Sequence, residues 1–175
     1  KNVNGLIEAF QLFKRRSGPK AASVKLVIAG KRGWLYKKAV KSNQPDQDII
    51  QIDYVDAQDK PGLYQLASLF VFPSFYEGFG FPPLEAAASQ TPVIASYTGS
   101  LGEILQDNAV LVDPYNINQI AAAMAELLSN PMPRARLKEI SDKIKSQYSW
   151  PTAAEKTFNL IKIVGSAPQN RALTH

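Results

Sequence analysis

Leu69-Phe70-Val71-Phe72-Pro73-Ser74-Phe75-Tyr76-Glu77-Gly78-Phe79-Gly80-Phe81-Pro82-Pro83-Leu84-Glu85 passes from a short apolar strand through a glycine loop into a helix. The first five residues are aromatic or branched and end in proline, a strand pattern with its own stop. Pro82-Pro83 suits the first turn of a helix over 82–89, where a missing N–H costs nothing. Between them lie Ser74, Glu77, Gly78 and Gly80. Glycines allow backbone amides to approach a ligand closely, and a helix N-terminus adds unpaired N–H donors with partial positive charge. Such a loop invites a phosphate.

The same alternation extends in both directions. Downstream, Pro92-Val93-Ile94-Ala95 and Val110-Leu111-Val112 read as strands, with a helix over 101–106 between them. Upstream, Leu6, Ile7, Phe10 and Phe13 recur at helical spacing over 4–16 and stop at Gly18-Pro19. Val24-Lys25-Leu26-Val27-Ile28-Ala29 is too apolar for an edge and reads as a buried parallel strand. A helix over 34–41, a strand over 49–55 and a helix over 63–67 complete the series. Alternating strands and helices predict a doubly wound, mostly parallel sheet of class α/β. After Asp113-Pro114 only helices follow, over 117–128, 134–148 and 152–164. One domain is expected over 1–165, with a frayed tail over 166–175.

With 175 residues, 45% hydrophobic and 20% charged, the chain reads as a globular domain large enough for its own core. No apolar run spans a bilayer and no signal-peptide pattern opens the chain. The absence of cysteine removes disulfides, thiolate nucleophiles and cysteine metal sites and agrees with a cytoplasmic location. A net charge of +5 favours an anionic partner. Lys14-Arg15-Arg16, Lys31-Arg32 and Lys37-Lys38 sit in no nucleic-acid-binding motif, so nucleic acid is not the expected partner. The first of these runs ends a helix and reads as a solvated cap complementing the helix dipole.

In open parallel sheets ligands bind beyond the carboxyl ends of the strands, here the loops after Gly30, Val55, Pro73, Ala95 and Val112. Glu77 in the loop and Glu85 in the first helical turn bracket the glycines, and both could face one ligand. A carboxylate accepts two hydrogen bonds at once and suits a vicinal diol, one for a ribose and one for a sugar. The plainer alternative is that Glu85 offsets the helix dipole and Glu77 is solvated.

Pro73-Ser74, Glu77-Gly78-Phe79-Gly80 and Glu85-Ala86 together resemble the signature of retaining GT-B glycosyltransferases of the glycosyl transferases group 1 family. The likeness continues through Thr91-Pro92-Val93-Ile94-Ala95-Ser96, Glu103, Val112-Asp113-Pro114 and Ser149-Trp150, nearly the whole chain in the family's order. It implies a Rossmann-like three-layer domain, the C-terminal half of a GT-B architecture, that binds a nucleoside-diphosphate sugar. UDP-sugar is favoured, and GDP-mannose is the other candidate. The glycan or lipid acceptor would sit on an N-terminal domain outside this sequence, and the longer enzyme would touch the inner face of the membrane peripherally.

Carried over residue by residue, Glu85 resembles the ribose ligand. Glu77 resembles the ligand of the donor sugar and is the candidate catalytic residue. The amides of Gly78, Phe79 and Gly80 resemble contacts to sugar and distal phosphate. Ser74, Phe81 and Leu84 complete the donor loop. Lys1, beside Asn2, resembles a lysine that neutralises the diphosphate with an upstream arginine; its alternative is an ordinary exposed lysine. Gly30 and Lys31 belong to a glycine turn at the ligand edge, with Trp34 either flanking the base or anchoring the core. Val55 matches the position whose backbone pairs with the base, although Asp53 stands where the family carries glycine.

No cofactor and no metal are expected. Asp46-Gln47-Asp48 has the Asp-x-Asp form of a cation-holding motif, but it precedes the Ile49 strand, at the wrong end of the sheet. His175, the sole histidine, ends the chain and leaves no histidine metal site or Ser-His-Asp triad. The expected activity is metal-independent, retaining glycosyl transfer, with this chain alone inactive. A non-catalytic nucleotide-sugar-binding module is the alternative, and an epimerase is the weaker one for want of a suitable histidine.

Overall fold

The structure, a computed structural model, describes residues 1–30 and 47–166. The expected helix over 34–41 lies outside the described residues, as do Lys31, Trp34, Asp46 and His175.

Helix α1 (Val3–Ser17) starts behind Asn2, whose side chain accepts the Gly5 amide and satisfies one orphan donor of the first turn. It buries Ile7, Ala9, Phe10 and Phe13 and stops at Gly18. There follow β1 (Leu26–Ala29), β2 (Ile49–Ile52), α2 (Lys60–Leu66), β3 (Phe70–Phe72), α3 (Phe81–Ala88), β4 (Val93–Ser96), α4 (Leu101–Leu105) and β5 (Val110–Val112). The chain then continues as α5 (Ile117–Ser129), α6 (Arg134–Gln147) and α7 (Trp150–Ser166).

All strand pairs are parallel, as expected. β1 pairs with β2, Leu26 opposite Ile49. β4 lies between β3 and β5, with Phe70 opposite Val93 and Ile94 opposite Val110. The single continuous sheet of the sequence reading is resolved into these two ladders, with no hydrogen-bonded pairing between them among the described residues. They nevertheless share an apolar layer: Leu26 and Ile49 pack with Leu69 and Val71 onto the cluster formed by Phe10, Phe13, Ile94, Ile120 and Met124.

Strand β4 is buried along its whole length, and its side chains alternate between two cores. Ile94 faces the layer of α1 and α5, whereas Val93 and Ala95 face α3, α4 and α6 through Leu84, Leu101, Leu105, Ile140 and Ile144. Three layers result, with the carboxyl ends of β3, β4 and β5 side by side.

Four expectations are corrected. The β1 strand is not fully buried, for Val27 and its neighbour Ile50 are nearly half exposed on one face. Strand β2 ends at Ile52 rather than Val55, because the Gly30 N–H closes the ladder by donating to the Ile52 and Asp53 carbonyls. Lys14 is not a solvated cap: its ammonium donates to the carbonyls of Ala21, Ala22 and Val24 and pairs with Asp48, pinning α1 to the start of β1 and β2. Finally, α7 runs from Trp150 to Ser166, two residues beyond the expected 152–164 at each end. No residue of α7 is buried, and Trp150, Phe158, Leu160, Ile161, Ile163 and Val164 all face solvent. Among the described residues no helix is long and apolar enough to cross a membrane.

Candidate functional site

Three distant parts of the chain meet at the carboxyl ends of β3 and β5. Ser74, just past β3, is buried, and its carbonyl accepts from Ser96 Oγ at 2.5 Å and Thr98 Oγ1 at 3.1 Å. Thus held by β4 and the loop after it, Ser74 donates from Oγ to Glu77 Oε1 at 2.8 Å. Lys1 Nζ reaches the same oxygen at 2.8 Å and lies 4.7 Å from the centre of the Phe72 ring, a cation–π contact. Asn2 fixes this start of the chain by donating from Nδ2 to the Pro114 carbonyl at 2.7 Å, beyond the end of β5.

Burial pushes the Glu77 carboxyl up, but the hydrogen bonds from Lys1 and Ser74 and the charge of Lys1 outweigh it and hold it below its ordinary value. Glu77 is therefore an anion at neutral pH with one oxygen doubly engaged. Lys1 spends one of three N–H donors on it and, with its side chain 58% exposed, keeps the others for an approaching group.

The glycine loop is braced from beneath. Ser100, at the N-terminus of α4, gives its helix no side-chain cap; its hydroxyl lies 2.9 Å from the Glu77 carbonyl and 3.1 Å from that of Phe79. Gly99 has φ 61°, and a Cβ there would stand 2.8 Å from the Glu77 carbonyl. Gly80 caps α3 with φ 95°, and a Cβ there would run into Leu101 Cδ2. Above Gly78, by contrast, there is open space.

No acceptor among the described residues takes the amides of Gly78, Phe79 or Gly80. The helix behind them supplies fewer donors than the sequence reading implied, because α3 begins at Phe81 and its next two residues are prolines without N–H. The anion-binding capacity thus rests on the loop amides and that of Phe81. The Phe81 side chain is exposed, the Phe79 ring packs on Phe81 and Tyr148, and the Leu84 side chain is buried in the core, open to a ligand only through its backbone.

Glu85 belongs to the second turn of α3 rather than the first, since the helix starts one residue early. It is not a dipole-compensating surface residue either: Tyr64 Oη, from α2, donates to its Oε2 at 2.9 Å. Gly30 keeps its place at the end of β1 with its amide taken by β2, and Val55 lies half-buried in the loop past β2. Asp48 is engaged by Lys14 at 2.8 Å and Lys25 at 2.5 Å at the opposite edge of the sheet.

As site residues, Ser96, Thr98, Gly99, Ser100 and Tyr64 were not singled out by the sequence reading, Ser96 having entered it only as part of the family likeness. A run of small hydroxyl and glycine residues at and just after the end of a buried strand, at the ligand edge, was a usable signal for the first four. Nothing local marked Tyr64.

The family model described as Glycosyl transferases group 1 matches residues 1–144. O-antigen chain mannosyltransferase B of Escherichia coli is 32% identical over 167 residues, covering 94% of this chain and 43% of that protein. The C-terminal domain of the glycosyl transferase group 1 family protein LpcC from Francisella tularensis superposes with TM-score 0.68 at 29% identity, covering 84% of this chain and 78% of that one. TarM of S. aureus, in complex with fondaparinux, α-GlcNAc-glycerol and UDP, does so with TM-score 0.75 at 26% identity, covering 90% of this chain and 32% of that one.

Proposed function

The chain belongs to the glycosyl transferases group 1 family, as a domain of the C-terminal half of the GT-B fold, and from that premise we propose that it binds the nucleoside-diphosphate sugar donor for retaining, metal-independent hexosyl transfer. The observation that carries the reading is the convergence of Lys1, Ser74 and Glu77 beside the unclaimed amides of Gly78, Phe79 and Gly80.

In this reading the distal phosphate and the sugar lie over Gly78. Departure of the nucleoside diphosphate builds negative charge, which the preorganised amides and the spare N–H groups of Lys1 stabilise. Glu77 touches the donor sugar: its ionised carboxylate accepts from sugar hydroxyls, and Lys1 and Ser74 keep it in place while it does so. Glu85 accepts from the ribose. Ser74 acts through Glu77, Phe81 contributes its amide, Leu84 its backbone, and Gly30, Lys31 and Val55 flank the base side.

UDP-sugar is the favoured donor, supported by the UDP carried by the TarM structure. GDP-mannose is the second reading, favoured by likeness to a mannosyltransferase. The chain spans 43% of the length of that relative. The glycan or lipid acceptor accordingly belongs to the remainder of a longer, cytoplasmic protein that meets the inner membrane face.

Calorimetric titration with UDP, UDP-glucose, UDP-N-acetylglucosamine, GDP and GDP-mannose, with and without EDTA, tests this. One series should bind in the micromolar to millimolar range irrespective of EDTA. Failure of every nucleotide to bind would refute the donor-site reading, and a strict metal requirement would refute its metal-independence.

A further inference from the structure

We propose that Tyr64 is a positioning residue that presets the Glu85 carboxylate for the ribose diol, an inference that rests on the ribose role of Glu85 given above. Tyr64 Oη donates to Glu85 Oε2 at 2.9 Å in a half-buried contact that joins α2 to α3 across 21 residues of sequence. Among the described residues this is the one side-chain hydrogen bond that Glu85 makes, so Oε2 is anchored and Oε1 is left to accept from a ligand.

The anchor is itself fixed from two other directions. The Tyr64 ring stands edge-on to Phe70 of β3, with centroids 5.3 Å apart. Its carbonyl accepts from Thr91 Oγ1 at 2.7 Å, just before β4. The ring contact with β3 holds the Tyr64 side chain, and the hydrogen bond from Thr91 holds its main chain, with the phenol directed at Glu85.

Holding a flexible carboxylate in its binding rotamer removes an ordering cost that the ligand would otherwise bear, which raises affinity without a new ligand contact. Burial, and then the neighbouring Glu85 carboxylate, push the Tyr64 phenol well above its ordinary pKa, so it remains a donor throughout the neutral and mildly alkaline range. A strap that merely joined α2 to α3 would affect stability and leave ligand selectivity unchanged. A positioning residue affects recognition of one part of the ligand.

The experiment measures affinities of this chain for UDP and GDP against dUDP and dGDP, which lack the 2′-hydroxyl, in wild type, Tyr64→Phe, Glu85→Gln and the double variant. Wild type should prefer the ribonucleotide by roughly tenfold, the scale of a hydrogen bond to a charged acceptor. Tyr64→Phe keeps the ring contact with Phe70 and should retain its melting temperature within a few degrees while losing most of that preference. Glu85→Gln should lose it too, and the double variant should lose no more than Glu85→Gln alone. Tyr64→Phe with full preference beside a Glu85→Gln variant without it would overturn the proposal and leave the ribose role of Glu85 standing. Full preference in Glu85→Gln would instead overturn the ribose role, and the proposal with it. Additive losses in the double variant would also overturn it, since Tyr64 would then act independently of Glu85.

Discussion

Helices α3 and α7 are equally legible as sequence, yet one is embedded and the other bare. α3 buries Pro83, Leu84, Ala86 and Ala87 against β4, α4 and α6, and its entry loop is stitched to the ends of β3, β4 and β5. α7, twice as long, buries nothing, and Trp150 at its start is 86% exposed. The lesson is that apolar content and helical period establish that a helix forms, but not what it packs on. The candidate site lies at the embedded helix, because only a braced loop can hold amides and a carboxylate in one geometry.

The largest expected contrast lies between a leucine on each of the two helices. Leu84→Ala should cost about 2–5 kcal/mol, the range for emptying a packed leucine site, whereas Leu160→Ala on α7 should change stability by less than about 0.5 kcal/mol. Denaturant unfolding of both variants measures this, and comparable losses would mean that α7 is packed after all.

A glycine pair sharpens the same contrast. Gly80→Ala should lose about 1–3 kcal/mol and weaken nucleotide binding, because the residue must keep a left-handed φ against Leu101. Gly165→Ala, in α7 with open space around it, should be neutral or stabilising by up to about 1 kcal/mol. Thermal melts should be lowered for Gly80→Ala and unchanged or raised for Gly165→Ala.

Ser100→Ala should cost about 1 kcal/mol, the net worth of one hydrogen bond, and reduce nucleotide affinity more than the melt alone implies. Calorimetry beside a melt separates the effects; unchanged affinity would show that the loop keeps its shape without the brace.

The smallest effect concerns the Lys1–Glu77 pair. The hydrogen bonds from Lys1 and Ser74 hold the Glu77 carboxyl below its ordinary range in the folded chain, so its contribution is present above the ordinary carboxylate pKa and is lost as pH falls through the lowered value. With Lys1 largely exposed, that contribution is less than about 1 kcal/mol. Glu77→Gln should therefore flatten the acid side of a stability–pH curve slightly relative to wild type. An identical acid slope would mean that the pair contributes nothing measurable. Asp48, held low by hydrogen bonds from Lys14 and then Lys25, shapes the same window in both proteins and cancels in the comparison.

Strand β5 falls where the sequence places it; α5 and α6 differ from their expected spans by one residue at one end, and α3 is shifted by one residue at both. Larger shifts have local causes: α2 begins at Lys60 because Pro61 fits a first helical turn, and β2 ends where Gly30 closes its ladder. At the candidate site, the glycine loop and both glutamates were legible, being chemically distinctive residues in one short stretch. Their partners were not. Lys1 lies 76 residues from Glu77, and Tyr64 lies 21 from Glu85, distances over which no sequence periodicity operates.

The sequence by itself determined the order of strands and helices, the parallel winding that sets the loops at one sheet edge, and the residue types offered there. These follow from backbone preferences and from an apolar period of two or 3.6 residues, which are local properties. Tertiary structure alone decided that Glu77 shares one oxygen between Lys1 and Ser74, that Glu85 is anchored by Tyr64, that Lys14 pins α1 rather than capping it, and that α7 stands bare. Hydrogen-bond partners and burial depend on which surfaces the folded chain brings together, and those contacts are set by the packing of distant elements rather than by any residue's neighbours in sequence.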